Sequence, residues 1–196
     1  YQAPFKETDI YRPSTPYAVS HAAIDMSLKA FHQQHRFPVI FTRFANFYGP
    51  HQQLYRIIPR SIIYMKLGKK IPLHGGGHSV RSFLHAEDAS SAVYQTLVHG
   101  KLGETYHFST TEFIAIKDLV ALIAKELDLN FDNCVEISED RPGRDNAYYL
   151  DCEHAGKELD WFPQITLQQG IRDCIAWVNQ YFENIKHLPL EYIHKV

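Results

Sequence analysis

The sequence predicts an α/β chain, because a helix-compatible segment runs directly into a short, apolar, β-rich stretch, and short strands and helices alternate irregularly beyond it. The helix reads from Pro16 to about His35 and the strand over Pro38-Val39-Ile40-Phe41-Thr42-Arg43. A run of that composition suits a buried parallel strand, and a helix followed by a strand is half of a βαβ unit. After residue 50 the elements mix in an α+β manner, so an incomplete parallel sheet joined to a small α+β body is expected.

Residues 1–15 read as a loop, since Pro4, Pro13 and Pro16 discourage regular structure. Pro16 suits a first helical turn, and Ala18, Ala22, Asp25, Met26 and Lys29 are compatible with the helix that follows. Ile57 to Leu67 is predicted as helix, Lys69 to Leu73 as a short strand, Val80 to His85 as strand and Glu87 to Val98 as helix. Glu104 to Ser109 and Phe113 to Ile116 read as two short strands. Lys117 to Leu127 is helical, with Leu119, Leu122, Ile123 and Leu127 on one face. Val135 to Ser138 and Tyr148 to Leu150 read as strands, and Leu167 to Phe182 as the closing helix.

At 196 residues the chain fits one domain, or a small domain with part of another. Hydrophobic residues make up 45% and charged residues 21%, ordinary for a globular chain. A net charge of -2 gives no reason to expect nucleic acid or an anionic membrane as partner. No apolar run is long enough to span a bilayer, and Tyr1-Gln2-Ala3-Pro4-Phe5 has no signal-peptide character. Cys134, Cys152 and Cys174 are odd in number and unpatterned in spacing, which reads as reduced thiols in a cytoplasmic protein. The irregular polar opening without Met reads as the continuation of sequence upstream. A dinucleotide fold opens with a strand, a Gly-rich turn and a helix that receive the pyrophosphate. No such turn is present, and Gly75-Gly76-Gly77 is the one glycine cluster.

Tyr17 and His21 stand four apart and so share a helix face. Alone such a pair is usually packing. In its context, Ser14-Thr15-Pro16-Tyr17-Ala18-Val19-Ser20-His21-Ala22-Ala23 closely resembles the S-P-Y-x-x-S-K-A-A motif of extended short-chain dehydrogenases. The resemblance implies that Tyr17 is the acid/base of hydride transfer and that position 21 lowers its pKa and holds the nicotinamide ribose. His21 stands where the family has Lys. A phenol titrates near ~10, and a permanent ammonium beside it favours phenolate. Histidine titrates near about 6.5 and is mostly neutral at pH 7. The expectation is a weakened Tyr17 base, with a rate loss on the order of 10²–10⁴.

The likeness continues collinearly. Thr42-Arg43-Phe44-Ala45-Asn46-Phe47-Tyr48-Gly49-Pro50 is similar to T-R-x-x-N-x-Y-G-P, which implies Asn46 on substrate and Phe47 beside nicotinamide; a turn closed by Gly49-Pro50 is the alternative. Arg56-Ile57-Ile58-Pro59 resembles the segment that crosses the substrate phosphates, with Arg56 and Ile57 as contacts. Pro72-Leu73-His74-Gly75-Gly76-Gly77 resembles P-x-x-G-x-G, which places Pro72 and His74 at the nucleobase. Val80-Arg81-Ser82-Phe83-Leu84-His85-Ala86-Glu87-Asp88 resembles R-D-[WF]-x-x-V-x-D, whose Arg grips the diphosphate. A guanidinium fork suits two phosphate oxygens at once, and Ser82 replaces the usual supporting Asp. His107 stands where Asn is common. Asp140-Arg141-Pro142-Gly143-Arg144-Asp145, with Tyr148 and Asp151, resembles the D-R-P-G-H-D-x-x-Y-x-x-D signature of dTDP-glucose 4,6-dehydratases. Arg141, Arg144 and Tyr148 are then implied substrate ligands, and this segment separates dehydratase from epimerase.

Three other patterns fail. His74-Gly75-Gly76-Gly77 mimics a lipase oxyanion segment without a G-x-S-x-G elbow. His85-Ala86-Glu87 mimics a deaminase H-x-E without P-C-x-x-C. His32 with His35, or His74 with His78, lacks further zinc ligands at a convincing spacing, so no metal is expected. The resemblance implies the C-terminal part of a Rossmann-type parallel sheet in residues 1–55. It implies a mainly substrate-binding body in 56–196, with some segments returning to the first part. It further implies an NAD-dependent nucleotide-sugar 4,6-dehydratase acting on a nucleotide-diphosphate sugar, and a homodimer. An epimerase, or a relative that binds without turnover, is the alternative.

Overall fold

A computed structural model describes residues 4–139 and 149–192. In chain order its elements are α1 (Pro16–His35), β1 (Phe41–Phe44), β2 (Asn46–Tyr48), α2 (Ile57–Lys66), β3 (Ile71–His74), a 3₁₀ turn (Gly75–Gly77), β4 (Val80–His85) and α3 (Ala86–His99). They continue with β5 (Thr105–Phe108), β6 (Phe113–Ala115), α4 (Ile116–Glu126), α5 (Phe131–Cys134), β7 (Val135–Ser138), α6 (Glu153–Leu159) and α7 (Leu167–Ile185). The class is α/β, with parallel pairing between β1 and β5, β2 and β4, and β3 and β7, and one antiparallel pairing between β4 and β6.

The strands form three small sheets, because the chain changes partners at Ala45. The Ala45 amide still donates to the Phe108 carbonyl at 2.9 Å, which closes the β1–β5 ladder. From Asn46 onward the backbone pairs with β4 instead, Asn46 opposite Phe83 and Tyr48 opposite His85. The sequence predicts one strand and a turn here. Both readings treat locally what a second, non-local partner decides.

Two hydrophobic cores result, and β4 is the wall between them. Successive side chains of a strand point to opposite faces. Phe83 therefore joins the larger core, built on α2, β3, α4 and α7, while Leu84 joins the smaller one with Tyr106, Phe108, Leu159 and Trp161. α7 presents Leu167, Ile171, Cys174, Val178 and Ile185 to the larger core, and Thr166 with Gln169 forms a capping box at its start. α1 differs. Only Ala18, Ala22, Asp25, Leu28, Lys29 and His32 are half-buried, and no residue of this helix is fully buried.

Predicted and observed helices agree for α1, α2, α3, α4 and α7 to within a few residues. α5 and α6 are absent from the sequence reading because four and seven residues are too short for a periodic signal, and Gly156 lowers the helical propensity of α6. Leu150 makes an isolated parallel bridge to Phe5, while Tyr148 lies outside the described residues. Among the described residues no helix is long and apolar enough to cross a membrane.

Asp88 locks the layers together. Its side chain is buried, and its two carboxylate oxygens accept from the amides of Gln164 at 2.9 Å and Ile165 at 3.0 Å. The Trp161 indole N–H donates to the Asp88 carbonyl at 3.3 Å. The motif acid thus ties the start of α3 to the segment that feeds α7. Asp88→Ala strands two amides and is expected to cost about 3 kcal/mol. That lowers the thermal midpoint by roughly 6–12 °C in a chain of this size, as calorimetry would read.

Candidate functional site: a cleft beside the larger core

One cleft of 1320 Å³ opens where β2, the loop after it, the start of α2, β3 and β4 converge. Asn46, Phe47, Arg56, Ile57, Pro72, His74 and Arg81, all expected to meet substrate or cofactor, line it together. The volume exceeds that of most drug-sized pockets, about 300–1,000 Å³. It suits a ligand with several linked parts.

The loop geometry rests on close backbone approach. A Cβ on Gly49 would stand 2.9 Å from the Ala86 Cβ, so only glycine lets the end of β2 pass the start of α3. Gly75, Gly76 and Gly77 all take positive φ, from 56° to 72°, the left-handed region where side chains are strained. This turn brings Gly77 to the cleft wall between β3 and β4.

Three cations line the cleft. Arg56 is the N-cap residue of α2 and Arg60 follows one turn later, so both fall on one side of the helix start. Arg81 donates from Nη1 to the Val80 carbonyl at 2.7 Å, which orients its guanidinium. The first turn of α2 carries no acidic residue, and its amides add a partial positive charge. Arg56, Arg60 and the helix start form one wall, Arg81 lines the same cleft, and together they favour a multiply charged anion, phosphate above all. Arg60 was missed from sequence, although its i,i+4 relation to Arg56 was a readable signal.

Polar groups orient the rest of the cleft. His74 is held through Nδ1 by the Ser138 hydroxyl at 2.8 Å and the Glu139 carbonyl at 3.2 Å, and among the described residues its Nε2 has no hydrogen-bond partner. Ser82 does not leave a gap where the family has Asp. Its buried hydroxyl joins those of Ser109 at 2.8 Å and Thr110 at 3.0 Å. Tyr48 turns inward, donates to the Leu167 carbonyl at 3.2 Å, and burial raises its pKa.

Tyr17 and His21 are in contact, with ring centroids 4.4 Å apart, but they are not among the cleft-lining residues. Tyr17 is 74% exposed, because α1 touches the body through one narrow stripe. Arg141, Arg144 and Tyr148 lie outside the described residues. Among the described residues no cluster of three or more His, Cys, Asp or Glu side chains is arranged for a metal ion.

His107 does not reach the cleft, contrary to its expected substrate contact. It is 2% exposed and stands opposite Arg43 across the β1–β5 ladder. Its Nδ1–H donates to the Phe5 carbonyl at 3.2 Å, so Nε2 accepts from Arg43 at 3.3 Å. Arg43 also reaches Asp25 at 3.0 Å and the Tyr11 hydroxyl, and Tyr11 donates to Asp25 at 2.8 Å. Burial, then the Asp25 hydrogen bond, push the Tyr11 pKa up to about 12. This network ties α1 and the N-terminal loop to both strands.

A family model described as GDP-mannose 4,6 dehydratase matches residues 1–174. The chain belongs to this family. It is 36% identical over 184 residues to the dTDP-glucose 4,6-dehydratase of Haemophilus influenzae, covering 88% of this chain and 54% of that protein. The crystal structure of dTDP-glucose 4,6-dehydratase from Bacillus anthracis, in complex with NAD, superposes with a TM-score of 0.90 at 32% identity, over 96% of this chain and 60% of that one. UDP-glucose 4-epimerase from Thermotoga maritima shares the fold, with a TM-score of 0.86 at 22% identity over 93% of this chain and 59% of that one. The chain spans about half the length of the curated relatives it matches.

Burial first, opposed by Glu7 and aided by Arg43, holds the His107 pKa below its ordinary 6.5. As pH falls below that value the unfolded imidazole takes a proton that the folded one refuses, so stability is lost on the acid side. His107→Asn is expected to flatten the fall in melting temperature between pH 6.5 and 5, as scanning fluorimetry across that range would reveal.

Proposed function

We propose that the chain is the nucleotide-sugar-binding part of an NAD-dependent 4,6-dehydratase, removing water from a nucleotide-activated hexose. The observation that carries this reading is the convergence of Asn46, Arg56, His74 and Arg81 on one cleft. These residues are scattered over 36 positions of sequence. Arg56 and Arg81 take the diphosphate, Pro72 and His74 flank the nucleobase, and Asn46 meets the sugar. By the same reading, residues 1–55 complete a dinucleotide-binding domain and residues 56–196 mainly bind substrate.

The chain offers NAD an aromatic ring at the cleft edge, Phe47, 56% exposed, and the exposed Tyr17–His21 pair. It holds no glycine-rich strand-to-helix turn for a pyrophosphate, so the fit concerns the nicotinamide end alone. When bound, NAD supplies a hydride acceptor at the sugar's C4 and a donor at C6. Tyr17 Oη takes the proton of the C4 hydroxyl, and His21 stands where it can stabilise the phenolate. A neutral imidazole does this less well than an ammonium, because it brings no permanent charge.

That pairing also favours a second reading, a relative that binds nucleotide sugar without turnover. Turnover of dTDP-glucose with NAD decides between them, measured on the chain, on a form extended with upstream sequence, and on the extended His21→Lys variant. The dehydratase reading expects His21→Lys to raise the rate by on the order of 10²-fold or more. An extended His21→Lys protein that binds dTDP-glucose and stays inert rejects it. Arg81→Ala is expected to weaken dTDP binding about tenfold or more by titration calorimetry. We also propose a homodimer through α1, whose Val19, Ile24, Met26 and Phe31 are exposed; sedimentation at a monomer mass would reject it.

A further inference from the structure

The segment after α7, up to residue 192, returns to the cleft. α7 closes in a turn, with the Lys186 amide donating to Phe182 at 2.9 Å and the Leu188 amide to Ile185 at 3.0 Å. Leu190 then packs against the larger core, and the next two residues, Glu191 and Tyr192, line the cleft. This strap lies beyond residue 174, where the family match ends.

Its aromatic residue touches the anion-binding wall through one intermediate. The Tyr192 ring meets the Tyr55 ring edge-on, centroids 5.3 Å apart at 71°. The Arg56 guanidinium lies 5.4 Å from the centroid of the same Tyr55 ring. Tyr192, Tyr55 and Arg56 thus form a ladder from the strap to the first residue of the anion-binding wall. Among the described residues no carboxylate pairs with Arg56, so the ring contact is what restrains a long and otherwise mobile side chain. An arginine held in place before its ligand arrives loses less rotamer freedom on binding.

We propose that the strap is a positioning element of the cleft: Tyr192 holds Tyr55, and Tyr55 holds the Arg56 guanidinium where it meets the ligand's diphosphate. This rests on the nucleotide-diphosphate reading of the cleft. Tyr192 is a positioning residue and acts through Arg56. The anchor at Leu190 keeps the ladder in register, and 60% exposure of Tyr192 means that its removal opens no core.

The test is a double-mutant cycle read by titration calorimetry with dTDP as probe, on the chain as it stands. Tyr192→Ala is expected to weaken binding about three- to tenfold, the range of one aromatic pair. Tyr192→Phe, which keeps the ring that meets Tyr55, is expected to retain more of the binding than Tyr192→Ala does. In an Arg56→Ala background, Tyr192→Ala is expected to cost less than about twofold, because the group it positions is gone. The melting temperature of Tyr192→Ala should stay within about 2 °C of the parent, as for other exposed positions. Undiminished binding by Tyr192→Ala overturns the inference, as does an equal loss with and without Arg56. Either result leaves the proposed function standing, since the unmodified chain still binds. Failure of the unmodified chain to bind dTDP overturns both.

Discussion

The two-faced strand β4 is the constraint on which the rest of this structure depends. Phe83 and Leu84 are neighbours in sequence and anchor different cores, so a shift of β4 by one residue would bring a polar neighbour, Ser82 or His85, into one core and the wrong apolar side chain into the other. That strong register carries Arg81 to the cleft and Asp88 to the amides of the segment before α7. The proposed binding residue and the structural pin thereby sit seven positions apart.

The partner exchange at Ala45 has the same importance for the opposite wall. By leaving the β1–β5 ladder for β4, the chain turns Asn46 and Phe47 toward the cleft and buries Tyr48 beneath it. The close approach of Gly49 to Ala86 is the steric condition for that crossing. Below it, Arg43 links His107, Asp25 and Tyr11, so the helix that carries Tyr17 is tethered to the same pair of strands. The cleft lining and the order of the interior therefore share one stretch of nine residues, Thr42 to Pro50.

Much of this was legible in order along the chain. The spacing of apolar residues marked α2, α4 and α7, because each buries a face with helical period. The arginines, His74 and Asn46 stood out through their motifs. His107 did not reveal its place, since a histidine beside Tyr106 and Phe108 reads alike whether it faces a ligand or an interior arginine. Arg60 and the strap residue Tyr192 carried no motif. Their roles follow from which helix turn and which neighbour they meet.

The amino-acid sequence by itself determined the class, the family and two of the three arginines that line the cleft, Arg56 and Arg81, because local period and motif spacing are properties of neighbouring residues. Only the tertiary structure decided that the strands form three sheets, that His107 belongs to an interior network, and that Tyr192 returns to Tyr55. Those outcomes depend on pairings between residues tens of positions apart, and the free energy of such a pairing is shared between two segments that neither one specifies alone.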